Sequence, residues 1–238
     1  MSVPQDALAL KPANITFEQA AAVPTSGLIA LHNLRQGRLQ PGQRVLVNGA
    51  GGGVGAFAVQ LAKAQGATVT GVDATAKLDL IRSLGADRVI DYTQQDFTRA
   101  DQSYHLIFDV PGNRPFRDCR RALTPDGSYV LIGHDGFGDA AGRWLGSLPR
   151  VLGLVAMSPF ISQLPAINFR LPAKKDSMAL LKGHLEAGEL TPIVDRTFSL
   201  NEVPEALRYL ETGQALGKII ISMLRVRPCA RLGWRDSR

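Results

Sequence analysis

The sequence predicts an α/β fold built on one doubly wound parallel sheet with helices on both faces. Three observations predict it. Between residues 44 and 133, short apolar runs alternate with stretches of helical periodicity. The runs are continuously apolar, so the strands are buried on both faces, as in a parallel sheet covered by helices. The first run enters a glycine-rich turn, Ala50-Gly51-Gly52-Gly53-Val54-Gly55, that opens directly into a helix. Right-handed crossovers then impose the doubly wound order.

The elements follow along the chain. Residues 14–39 read as helical, with Thr16 as a candidate cap and Pro24 as an interruption. Gln40-Pro41-Gly42-Gln43 reads as a turn and residues 44–48 as a buried strand. After the glycine turn, Val54, Phe57, Ala58, Leu61 and Ala62 fall on one helix face, and Gly66 ends that helix. Residues 68–73 form a second strand. Leu78, Ile81 and Leu84 mark a helix ended by Gly85, and residues 88–91 form a third strand. Residues 106–110 form a fourth strand; Phe116, Cys119 and Leu123 mark a helix. Pro125-Asp126-Gly127 reads as a turn before a fifth strand at 129–133. Residues 136–173 break the rhythm as an apolar, Gly/Pro-rich insertion. Met178, Leu181 and Leu185 resume a helix. Another runs near 201–211, with Asn201 as its cap and Pro204 in its first turn, and residues 217–221 close the series as a strand.

Composition narrows the function. The chain has 238 residues, 45% hydrophobic and 20% charged, close to an ordinary globular protein. The formal charge of +6 owes much to residues 224–238, which hold five arginines and one aspartate and read as a disordered basic tail. No basic stripe interleaved with aromatics is present, so nucleic-acid binding is not expected. Cys119 and Cys229 lack metal-type or disulfide-framework spacing, and the N-terminus lacks a secretory pattern, which suits a reducing, cytoplasmic setting. Residues 151–169 carry no charge, but Pro159, Pro165 and four polar side chains argue against a membrane span. That stretch reads instead as a mobile cover over part of the fold or a partner subunit.

The glycine turn carries the chemistry. A helix N-terminus offers unpaired N–H groups and a partial positive charge, and glycines let a pyrophosphate approach the backbone. Strand, turn and amphipathic helix together make a dinucleotide-binding Rossmann unit, although Ala50 stands at the first glycine of the usual pattern. Asp73 ends the second strand 22 residues past Gly51, where an acid takes adenosine ribose hydroxyls. That favours NAD, whereas Lys77 could reach a 2′-phosphate and favour NADP; the preference stays open.

Several blocks in order resemble the zinc-independent, quinone oxidoreductase-like branch of the medium-chain dehydrogenase/reductase superfamily. They include Ala20-Ala-Ala-Val-Pro24, Val47-Asn-Gly-Ala-Gly-Gly-Gly-Val-Gly55 and Leu84-Gly-Ala-Asp-Arg-Val-Ile-Asp-Tyr92. Tyr129-Val-Leu-Ile-Gly133, Pro192-Ile-Val-Asp-Arg196 and Gly217-Lys218-Ile continue the likeness. The resemblance implies hydride transfer between NAD(P)H and a small quinone, enone, aldehyde or alcohol, in a homo-oligomer. It implies pyrophosphate contacts at Gly51, Gly52, Gly53, Val54 and Gly55. Asp73, Lys77 and Tyr92 would flank the adenosine ribose. Thr25, Ser26, Val110, Ile132 and Gly133 would lie at the nicotinamide, and Lys218 near the phosphates. No catalytic side chain is assigned, and His134 is a weaker proton-donor candidate at the end of the fifth strand.

The departure from the family is at the start. Residues 1–23 resemble the last connection of a catalytic GroES-like domain and a lead-in helix, with the Rossmann domain over 24–223. The alternative to an enzyme is therefore a dinucleotide-binding module that needs such a domain. Zinc-dependent relatives place a cysteine ligand where this chain reads Ala21-Ala22-Val23-Pro24, which offers none. A short-chain dehydrogenase is excluded, because no tyrosine is followed four residues on by lysine. A methyltransferase would not carry the blocks at 84–92 and 192–221.

Overall fold

A computed structural model describes residues 8–99, 102–133, 148–165 and 174–223. Five parallel strands form the central sheet in the order β3-β2-β1-β4-β5: β1 (Arg44–Asn48), β2 (Thr68–Asp73), β3 (Arg88–Asp91), β4 (Tyr104–Asp109) and β5 (Leu123–Leu131). The chain leaves β1 to build β2 and β3 on one side, then returns to build β4 and β5 on the other. The order thus reverses between β1 and β4, and a crevice opens at the carboxyl ends of those two strands.

Strand side chains alternate between two cores. Val45 and Val47 of β1, with Leu106 and Phe108 of β4, join a cluster under α1 (Phe17–Gln36), α2 (Gly53–Ala64), α3 (Leu78–Ser83) and α6 (Lys174–Glu186). Leu46 and Ile107 point the other way, toward Cys119 of α4 (Phe116–Arg121) and Leu154 of α5 (Leu148–Met157). Burial on both faces is what the continuous apolar runs demanded.

Local differences from the sequence reading have physical causes. Helix α1 runs straight through Pro24. A proline inside a helix costs about 3 kcal/mol, but its ring is solvent-exposed here. A capping box between Thr16 and Gln19 and a buried face containing Val23, Leu31 and Leu34 offset that cost. Pro125-Asp126-Gly127 falls inside β5 rather than before it: Leu123 pairs with Tyr104 and Ser128 with Leu106, so residues 124–127 stand in a register irregularity of the ladder. The strand is at the edge of the five-stranded sheet, where a proline and extra residues are tolerated. Helix α7 (Val203–Glu211) is preceded by a short 3-10 turn (Leu200–Glu202) that Ser199 caps in a box with Glu202, so Asn201 lies inside that turn and α7 itself starts at Glu202 with no side-chain cap.

Two further features were not read. β6 (Val194–Ser199) pairs in parallel with β7 (Lys218–Ser222) as a separate two-stranded sheet, so the closing strand does not join the central one. Residues 148–165 of the apolar insertion form α5 and a turn whose Gln163 carbonyl accepts from the Tyr129 N–H at 2.8 Å. This part of the insertion covers the β5 edge. Among the described residues no helix is long and apolar enough to cross a membrane. The basic tail and Cys229 lie outside the described residues.

Candidate dinucleotide site

The site starts where β1 ends. The N–H groups of Gly49 and Ala50 both donate to the Val72 carbonyl, at 2.9 and 3.1 Å, which folds the chain sharply off the strand. Gly52 then takes an extended conformation and starts α2 with no side-chain cap. The first N–H groups of α2, those of Gly53, Val54 and Gly55, have no intrahelical acceptor. Gly55 is required by packing: a Cβ there would stand 2.0 Å from the Gly49 carbonyl oxygen.

Two lysines fold across this turn. A Cβ on Gly51 would meet the Lys77 stem at 2.8 Å, and one on Gly53 would meet Lys218 Cδ at 2.6 Å. Lys77 reaches its place from a 3-10 turn (Thr75–Lys77) after β2, and Lys218 from the start of β7. The Asp73 carboxylate faces the turn itself: Oδ2 accepts from the Gly51 N–H at 2.8 Å, Oδ1 from the Ala74 N–H at 2.9 Å. The Lys77 ammonium lies 3.9 Å from Oδ1. At the neighbouring strand end, the hydroxyls of Thr75 and Thr93 and the Thr93 N–H hold the Asp91 carboxyl below its ordinary range, one residue before Tyr92.

Above the turn lies a cleft of about 560 Å³. Ten residues singled out from sequence line it: Thr25 and Ser26 from α1, Gly52, Gly53 and Val54, Asp73, Lys77, Tyr92, Val110 and Lys218. Gly51 and Gly55 form the floor beneath, covered by Lys77 and by the Gly49 backbone respectively. Ile132 and Gly133 are not part of the lining. Their N–H groups stay bonded to the carbonyls of Asp109 and Val110, at 2.9 and 3.0 Å, as a continuation of the sheet. His134 lies outside the described residues.

The sequence reading missed part of the wall: Asn48, Gly49, Pro111, Asn113, Leu210, Gly213 and Gly217. A buried polar network places the Asn113 side of it. Asn48 Nδ2 donates to Asp109 Oδ1 at 2.8 Å and to Asn113 Oδ1 at 3.1 Å. The Gly112 N–H also reaches Asp109 Oδ1, at 3.0 Å, and the Tyr129 hydroxyl donates to Oδ2 at 2.7 Å. Asp109 is fully buried. A carboxylate that ends an apolar strand needs such donors, and that was the signal in Ile107-Phe108-Asp109-Val110.

The arrangement fits the pyrophosphate of a dinucleotide: bare glycines, unpaired helix N–H groups, two lysines, and a cleft at the switch point of the sheet. Among the described residues no three His, Cys, Asp or Glu side chains come together, and Cys119 is buried in the apolar core.

Residues 84–221 match the family described as zinc-binding dehydrogenase. The 2-methylene-furan-3-one reductase of Solanum lycopersicum is 31% identical over 224 residues, covering 92% of this chain and 50% of that protein. The chloroplastic NADPH-dependent alkenal/one oxidoreductase of Arabidopsis thaliana is 33% identical over 225 residues, covering 92% and 51%. The structure of the quinone oxidoreductase from Coxiella burnetii superposes with a TM-score of 0.73 at 27% identity, over 91% of this chain and 64% of that one. The chain belongs to the zinc-binding dehydrogenase family, within the medium-chain dehydrogenase/reductase superfamily. It spans about half the length of the curated relatives it matches.

Proposed function

We propose that the cleft binds NADH or NADPH and that the chain is the cofactor-binding part of a zinc-independent oxidoreductase acting on a small quinone, enone, aldehyde or alcohol. The bound nicotinamide would supply or accept the hydride. The observation that carries this reading is the uncapped start of α2, open to the cleft and flanked by Lys77 and Lys218. Gly53, Val54 and Gly55 would donate their N–H groups to the pyrophosphate, and Lys218 would add its ammonium. Asp73 and Lys77 stand together where the second strand ends, and their balance would set the choice between NAD and NADP. Thr25, Ser26, Val110 and Asn113 would face the nicotinamide end. Zinc independence is supported by Ala21-Ala22-Val23-Pro24, which supplies no ligand side chain.

A second reading is a dinucleotide-binding module that turns over substrate only with a further domain. The match to about half of each curated relative favours it. Titration of the 238-residue chain with NADPH and NADH, followed by assay with a quinone and an enone, separates the two. Binding with turnover supports the enzyme and binding alone the module; no binding of either nucleotide overturns both.

A further inference from the structure

Lys218 reaches the turn from a segment remote in sequence, and something must hold that segment. Gly217 sits in a left-handed conformation, φ 75°, with its N–H on the Gly51 carbonyl at 3.0 Å. The Lys218 N–H donates to the Ile193 carbonyl at 2.9 Å. These two bonds place the backbone against the glycine turn. Among the described residues the Lys218 ammonium makes no ion pair, whereas Lys77 faces Asp73.

One residue earlier, the Leu216 N–H donates to Asp195 Oδ2 at 3.2 Å, and the same oxygen accepts from the Tyr209 hydroxyl at 2.8 Å. Asp195 is the extra residue of a bulge: Val194 pairs with Lys218 and Arg196 with Ile219, which leaves Asp195 without a partner of its own in the ladder. A bulge redirects a side chain, and this one brings the carboxylate to Leu216 and Tyr209. On the Tyr209 ring lies the Arg196 guanidinium, 3.9 Å from the centroid. The hydrogen bond to Asp195 holds the Tyr209 hydroxyl above its ordinary range, so it remains a donor.

We propose that Asp195 and Tyr209 are positioning residues for Lys218. Their clasp ties β6, α7 and residues 212–217 into one unit, which delivers the Lys218 ammonium to the start of α2. The proposal rests on the dinucleotide reading of the cleft and names the residues that set its phosphate end. Neither residue lines the cleft; both act through the segment they hold.

The test is a double-mutant cycle on the full chain, with NADPH as the probe, titrated at low and high salt. Lys218→Met removes one charge-assisted contact and should weaken binding about tenfold. Tyr209→Phe should weaken it about threefold to tenfold, because the contact is misplaced rather than deleted. In the Lys218→Met background, Tyr209→Phe should add nothing further. The dependence of affinity on salt should flatten in all three variants, in part for Tyr209→Phe and fully for the two that carry Lys218→Met, since the same ionic contact is weakened or lost. Asp195→Asn, checked by thermal melting, should repeat the Tyr209→Phe pattern on an intact fold. Wild-type affinity in both Tyr209→Phe and Asp195→Asn overturns the proposal while leaving the dinucleotide reading intact. So does an equal loss in both backgrounds with the salt dependence unchanged, which marks a purely structural role. If the wild type binds neither NADPH nor NADH, the underlying reading fails and this inference with it.

Discussion

Two glycines three residues apart should respond oppositely to the same methyl group. On Gly55 an added Cβ would meet three backbone atoms: the Gly49 carbonyl oxygen at 2.0 Å, Ala50 Cα at 2.7 Å and the Gly49 carbonyl carbon at 2.8 Å. The first is about 1.4 Å short of ordinary contact, and backbone on both sides cannot swing away. Overpacking costs about 1–3 kcal/mol, and this position belongs at the upper end. For a chain of this size, about 3 kcal/mol lowers the melting temperature by roughly 6–12 °C. On Gly52 the same methyl meets only the Gly49 oxygen, at 3.5 Å, and the extended backbone there suits alanine. A poorer helix cap and a less flexible unfolded chain nearly cancel, so stability should change by under about 1 kcal/mol. Gly52 lines the cleft, however, and its methyl would stand where a phosphate must approach. Gly55→Ala should therefore melt roughly 6–12 °C below the wild type in far-UV circular dichroism. Gly52→Ala should melt like the wild type and lose at least about tenfold in NADPH affinity. Equal destabilisation of both variants would refute the packing argument; unchanged affinity in Gly52→Ala would refute the phosphate site.

Two other perturbations probe the carboxylates. Asp73→Ser should raise the ratio of NADPH to NADH affinity, and should also cost about 1–3 kcal/mol, because the Gly51 N–H loses its acceptor. Paired titrations and urea unfolding measure both, and an unchanged ratio removes Asp73 from the ribose contact. Asp87 contributes to acid sensitivity: burial pushes its carboxyl up, but the Lys63 ammonium, 2.9 Å from both oxygens, and the Val69 N–H outweigh it and hold it low. A carboxyl depressed in the folded state stabilises above about pH 4 and loses that contribution as pH falls through the folded value. The pair is partly exposed, so the effect should stay below about 1 kcal/mol. Asp87→Asn should flatten the fall in urea midpoint below about pH 4, and an unaltered slope would show that the pair contributes nothing.

The parts of the fold that were legible in the sequence are those whose cause is local. Val45, Leu46 and Val47 are consecutive and apolar because each faces one of two cores, and Val54, Phe57 and Leu61 share a face because the helix beneath repeats every 3.6 residues. The glycine turn was legible for the same reason: strand, turn and helix are contiguous. Periodicity could not show returns of the chain from a distance. The strand β6 holds only half-buried and exposed positions in no regular alternation, with no apolar run to mark it, and exists because β7 comes back to pair with it. Pro125-Asp126-Gly127 has the composition of a turn, but the strand already begins before it, because Leu123 pairs with Tyr104 and the ladder resumes at Ser128 opposite Leu106. At the site, Asp73 was visible as an acid at the right interval, but a sequence does not show that its carboxylate already holds the Gly51 N–H. Its pull on a ribose must therefore be weighed against its grip on the turn. A single carboxylate that both shapes the loop and meets the ligand links affinity to loop geometry. That is why the Asp73→Ser experiment must read stability and nucleotide preference together: a change in preference without loss of stability would show that the two roles are separable.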